Sequence, residues 1–206
     1  MEGTRPSARI QPGTRHEIGR VNFAIARLLG AASGGRPPNL FTTLARHRSL
    51  FRKWLRFAGG LMPGGLLPRA DSELVILRVA HNSGSEYEWR HHERLAQMAG
   101  LTAEEVQRVR QGHAAGGWTA RQSLLLRAAD ELHADRTLSG DLWEELRPLM
   151  SDAELIELCM LVGHYEMVAM TLNALAVEPD AVPSRPPPWA MRKAQALIER
   201  RQGART

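Results

Sequence analysis

ADSELVILRVAHNSGSEYEWRHHERLAQMAG, residues 70–100, is the stretch from which the fold is read. Its first half places Leu74, Val75, Ile76, Leu77, Val79 and Ala80 within two turns, so a helix here is apolar on most sides. Such a helix belongs at the centre of a core and not on its surface. Gly84 punctuates it, and EYEWRHHERLAQMA forms the next helix, with Gly100 as its stop. Helical periodicity dominates from about His16 to Ala176 without a convincing strand alternation, so the fold class is all-α.

Upstream, EIGRVNFAIARLLG sets Ile18, Val21, Ile25 and Leu28 on one predicted face, closed by Gly30. A second helix is expected from about Leu40 to Ala58, ending at Gly59-Gly60. Pro63-Gly64-Gly65 marks a turn, and Pro68 suits the first turn of the third helix. Downstream, Thr102 with Glu105, Thr119 with Gln122 and Ser151 with Glu154 are capping-box signatures. The last of these opens an apolar segment that runs to Val177, and a further short helix follows Ser139. The expected organisation is a basic N-terminal extension over 1–37, a helical domain over 38–178, and a Pro-rich basic tail over 179–206. Within the tail, Ala194, Leu197 and Ile198 give a short helix a docking face. Glu73-Leu74-Val75-Ile76-Leu77 is echoed by Glu154-Leu155-Ile156-Glu157-Leu158, and Tyr87-Glu88 by Tyr165-Glu166. That repeat fits two similar helical halves about an approximate twofold.

Charge is distributed unevenly. Residues 70–180 hold nine arginines against nineteen acids, whereas 1–69 hold twelve basic residues against two acids. An acidic body with basic ends points to ends that lie against their own or a neighbouring subunit. A nucleic-acid binder would carry its basic face on the folded body, so no nucleic-acid partner is expected. No apolar run of about 18 residues is evident and the N-terminal stretch has no signal-peptide core, so the expected location is cytoplasmic with no membrane partner. Cys159 is the single cysteine. It therefore has no intrachain disulfide partner, and its apolar setting reads as that of a small buried hydrophobe.

The chemistry-bearing residues concentrate in GSEYEWRHHERL, residues 84–95. Glu88 and His92 are i and i+4 and share a helix face, with Ser85 one turn before. A carboxylate beside an imidazole fixes its tautomer and raises its basicity, as proton transfer requires. Glu73 lies near the start of an apolar helix without a capping-box partner, and His81 follows it by two turns. Glu88 and His91 match one Glu-x-x-His of a di-iron bundle, but the chain has no second copy, so no metal is expected.

The spacing Glu73, Ser85, Glu88, His92 resembles that of alkylhydroperoxidase D-like proteins, in which a glutamate precedes CxxC and a histidine. Both cysteine positions are replaced here, by Ser85 and Glu88. The flanking GSEYEW…HHERLAQMAGLT is similar to the cysteine-free, carboxymuconolactone decarboxylase-like branch of that family. The resemblance covers about residues 38–178 and implies an alkylhydroperoxidase D-like helical bundle. It also implies general acid–base chemistry, proton transfer that can extend to decarboxylation, on a small carboxylated lactone or oxygenated acid. His92 is then the acid–base group, with Glu88 or Glu73 orienting it and Tyr87, Ser85 and His81 at the substrate. An arginine, with Arg78 and Arg90 nearest in sequence, would hold a carboxylate. No cofactor is implied, and a trimer or hexamer is. Thiol peroxidase activity is not expected, because Ser85 cannot form the disulfide that the cycle needs. The alternative is a binding or assembly protein that keeps the fold without the chemistry.

Overall fold

The structure, a computed structural model, describes residues 8–31 and 36–180. The expected tail helix with Ala194, Leu197 and Ile198 lies outside them. Among the described residues there are ten α-helices and no strand. The described residues divide into two compact units, one of residues 10–31, 36–52 and 180, the other of residues 8–9 and 53–179.

The first unit holds α1 (Arg15–Ile18), α2 (Arg20–Ala31), α3 (Asn39–Leu44) and the start of α4 (Arg48–Leu61). Its arginines serve as internal staples. Arg48 donates to the carbonyls of His16 and Glu17, and Arg46 pairs with Glu17 at 2.9 Å and donates to the Gln11 carbonyl. Two expectations fail here. Gly19, at φ 83°, separates α1 from α2, and the buried side of α2 is Asn22, Ala26 and Gly30, while Val21 and Leu28 are exposed. Small residues win because the chain approaches closely: a Cβ on Gly30 would collide with the Arg36 carbonyl oxygen. The expected helix over 40–58 is two helices, broken at 45–47. Gly59 and Gly60 lie within α4 and do not end it.

In the second unit, α5 (Arg69–Asn82) is the hub. Around it pack α6 (Glu86–Ala99), α8 (Ala120–Ala134) and α10 (Asp152–Leu175), with α7 (Ala103–Arg108) and α9 (Gly140–Leu146) completing the set. Two apolar clusters explain why α5 is apolar on most sides. Val75, Ile76 and Val79 enter one with Leu125, Leu142, Leu158 and Leu161. Leu74, Leu77 and Ala80 enter the other with Trp89, Ala96, Val106 and Leu126. The three capping boxes form as read from sequence: the hydroxyls of Thr102, Thr119 and Ser151 accept from the amides of Glu105, Gln122 and Glu154. Gly100 ends α6 at φ 111°, with the Leu101 amide returning to the Ala96 carbonyl.

One described helix, α10, is long and apolar enough by length and composition to cross a membrane, although no such run is evident residue by residue. Half of that window is buried against other helices of the unit, as for a core helix.

Candidate acid–base site

The site begins with a helical hairpin. Gly84, at φ 60°, reverses the chain, and Ser85 takes the N-cap position of α6. The two antiparallel helices then bring Glu73, in the second turn of α5, level with His92 in the second turn of α6. His92 Nδ1 lies 2.7 Å from Glu73 Oε2, and both side chains are buried. A carboxylate only accepts, so Nδ1 carries the hydrogen and Nε2 is the nitrogen left to exchange a proton.

The other Glu73 oxygen, Oε1, faces Arg69 Nη2 at 2.6 Å, one turn back on α5. That contact is an ion pair outside hydrogen-bond geometry. Arg69 is exposed, so the buried carboxylate links an accessible guanidinium to a buried imidazole. Arg69, and neither arginine expected from sequence, is therefore the cation at this site. Arg78 is consumed by Asp130, at 2.5 and 3.2 Å, and by the Val109 and Arg110 carbonyls. Arg90 pairs with exposed Glu86.

Glu88 is the unusual member. It is 2% exposed, and neither carboxyl oxygen has a hydrogen-bond partner. Burial pushes its carboxyl up to about 8, with the Glu166 charge adding to the shift and the nearby Ser85 hydroxyl offsetting part of it. Glu88 is thus a neutral carboxylic acid at pH 7. It does not orient His92; Glu73 does.

Tyr165 of α10 completes the cluster, and its only mark in the sequence is the echo of Tyr87. Its ring meets His92 edge-on at 5.1 Å. Burial first, then Glu73 and, once ionised at high pH, Glu88, raise its hydroxyl above the ordinary tyrosine range. His92 thus touches both Glu73 and Tyr165, and Tyr165 lies within electrostatic reach of Glu73 and Glu88. Beyond Tyr165 lies His164, buried between Trp54, Phe57 and Tyr165 and held neutral by burial, down to about 4.

The remaining expected residues are dispersed. Ser85 is buried beside Glu88 at the helix start. Tyr87 is buried, with its ring stacked on His91 at 6.5 Å. His91 is driven down to about 3 by burial, with His92, Arg94 and Arg69 adding to that. His81 packs edge-on against Trp89, among Arg78, Arg110 and Asp130. Among the described residues no three His, Cys, Asp or Glu side chains gather as a metal-holding group. Cys159 is half-buried, and burial pushes its thiol up.

Residues 48–131 match the carboxymuconolactone decarboxylase family. No curated protein matches the chain significantly. Several solved structures share the fold. An uncharacterised peroxidase-related protein with an alkylhydroperoxidase AhpD core, from Ralstonia eutropha JMP134, is 17% identical with a TM-score of 0.76, over 86% of this chain and 94% of that one. An uncharacterised peroxidase-related protein from Silicibacter sp. TM1040 is 18% identical with a TM-score of 0.70, over 88% and 94%. The debrominase Bmp8, solved with 2,3,4-tribromopyrrole, is 14% identical with a TM-score of 0.67, over 90% and 96%. The hub helices α5 and α6 thus lie inside the segment that matches the carboxymuconolactone decarboxylase family, and the fold around them is similar to that of the alkylhydroperoxidase AhpD core.

Proposed function

We propose that the protein is an enzyme that moves protons on a small carboxylated lactone or oxygenated acid, with decarboxylation as the leading reaction. The observation that carries this reading is Glu88, a carboxyl buried with no partner other than the nearby Ser85 hydroxyl, one helical turn before His92 of the Glu73–His92 pair. Leaving a buried polar group unpaired costs roughly 1–3 kcal/mol. A purely structural site would have replaced it or paired it, as Glu157 is paired by the Leu66 and Leu67 amides.

The proposed chemistry follows from the protonation states. When a substrate carboxylate leaves as carbon dioxide, its bonding electron pair passes to the adjacent carbon and is delocalised onto a conjugated carbonyl oxygen. A neutral Glu88 donates a hydrogen bond to that oxygen as negative charge builds there. His92, fixed by Glu73 through Nδ1, takes a proton from solvent at Nε2 to become the imidazolium and delivers that proton to the carbon, returning to the neutral ring. Arg69, exposed and adjoining Glu73, holds a carboxylate of the substrate. No step passes electrons to or from a thiol, in keeping with serine and glutamate at the two cysteine positions.

The second reading, a scaffold without chemistry, draws on the same Arg69–Glu73–His92 chain, because buried ion pairs also occur for structure alone. The test is decarboxylation or isomerisation by the full chain across a panel of muconolactone-like and β-keto acids. Turnover of one member above the uncatalysed rate is expected. Absence of turnover over the panel, with no ligand protecting the protein against heat, would favour the scaffold.

A further inference from the structure

We propose that Arg136, Glu166 and His133 form a second triad, built like Arg69–Glu73–His92, whose carboxylate keeps the carboxyl of Glu88 protonated and so makes Glu166 a positioning residue of the site. In the first triad one oxygen of Glu73 meets a guanidinium and the other meets the Nδ1 of a histidine. In the second, Glu166 Oε2 faces Arg136 Nη1 at 3.7 Å, and Oε1 accepts from His133 Nδ1 at 2.5 Å. Tyr165-Glu166 is also the echo of Tyr87-Glu88 in the sequence, so Glu166 is the counterpart of Glu88 in the repeat. The second triad lies further out: the side chain of His92 is 8% exposed, that of His133 32% and that of Arg136 69%.

The hairpin turn brings the two carboxyls together. Ser83, which closes α5, donates to Glu166 Oε1 at 3.2 Å, and Ser85, which opens α6, sits beside Glu88. Gly84 alone, at φ 60°, separates the two serines. Asn173 donates to the Ser83 carbonyl at 2.8 Å and so ties this turn to α10, the helix of Glu166. Two carboxylates that share a site do not both ionise readily, and the one with fewer donors keeps its proton. Glu166 has a guanidinium, an imidazole N–H and a hydroxyl around it. Glu88 has the Ser85 hydroxyl and is 2% exposed, so it is the neutral member of the pair. The groups facing the two carboxyls are Ser83 from α5, Ser85 from α6, His133 and Arg136 from the end of α8 and just past it, and Tyr165 from α10. Burial is the larger cause of the raised Glu88 carboxyl, and the charge of Glu166 adds to it.

The part Glu166 plays in turnover rests on the acid–base reading above, whereas its hold on the Glu88 proton does not, and the two are measured separately. Infrared difference titration of the full chain reads that proton directly, as the carboxylic-acid carbonyl band present in the wild type and absent in Glu88→Gln. In the wild type the band should persist through neutral pH and titrate away near the raised value of about 8. Glu166→Gln keeps the volume and an acceptor oxygen but removes the charge, and should move the midpoint down by about half a unit or more. Glu166→Asp restores the charge and should bring the midpoint most of the way back. A residue that served structure alone would change stability and leave the midpoint in place. No such band in the wild type, a midpoint unmoved by Glu166→Gln, or one moved as far by Glu166→Asp would each overturn the proposal. If Glu166→Gln does not fold, Glu166→Met makes the same test with a side chain of similar length. In turnover, the alkaline limb of kcat should move with the band in Glu166→Gln while KM stays as in the wild type. A band that moves without that limb upholds the triad and counts against Glu88 as the donor in turnover.

Discussion

Replacing Glu88 with glutamine should change how stability depends on pH more than any other single substitution in the site. The Glu88 carboxyl is raised from 4.5 to about 8, chiefly by burial. An acid whose folded-state pKa lies above its unfolded value binds more protons when folded, so stability falls as pH rises between the two values. Below the unfolded value both states are protonated and there is no penalty. Above the folded value both are ionised and the penalty is complete. The full penalty is on the order of 5 kcal/mol, about half of which accumulates between pH 5 and pH 7. A glutamine side chain cannot ionise, so Glu88→Gln escapes this slope while keeping nearly the same volume. The assay is urea denaturation followed by circular dichroism at pH 5, 6, 7 and 8 for both proteins. The wild type should lose about 2–3 kcal/mol relative to the variant from pH 5 to pH 7. Parallel pH profiles would refute the account, because Glu88 would then be ionised or solvated in the folded protein.

Three further outcomes follow from the packing. Glu73→Ala strands the buried His92 and frees Arg69, and should cost ~3–5 kcal/mol in chemical denaturation, as loss of one partner of a buried pair does. Ser151→Ala removes the acceptor for the Glu154 amide at the start of α10 and should cost ~1 kcal/mol, read as a lowered melting temperature. Gly65→Ala drives a Cβ into Glu157 Oε1 and to 2.6 Å from the Leu61 carbonyl oxygen, so it should destabilise by more than ~1 kcal/mol in the same assay.

What the sequence disclosed, it disclosed through local rules. The capping boxes at Thr102, Thr119 and Ser151, the Gly100 stop and the mostly apolar surface of α5 each depend on residues within one or two turns. All of them appear in the structure. The same range limits explain the misses. The α2 face inverts because a close backbone approach at Gly30 outweighs the larger apolar side chains of Val21 and Leu28. Within the site, the i, i+4 rule points to Glu88 as the partner of His92, whereas the partner is Glu73 on the neighbouring helix. Arg69 carries a legible signal, since it is i, i+4 to Glu73, but arginines nearer the histidine in sequence compete with it for the role. Tyr165 reaches the site from α10 through tertiary packing, and only its echo of Tyr87 hints at it.

The central claim is that His92, and no thiol, performs the chemistry. Its most direct measurement is the turnover rate of the best panel substrate by wild type, His92→Ala and Cys159→Ser, each with its helical spectrum verified. The account predicts that Cys159→Ser keeps the wild-type rate while His92→Ala loses at least ~10²-fold, the usual contribution of a general acid–base group. A rate unchanged in His92→Ala, or abolished in Cys159→Ser, would contradict it.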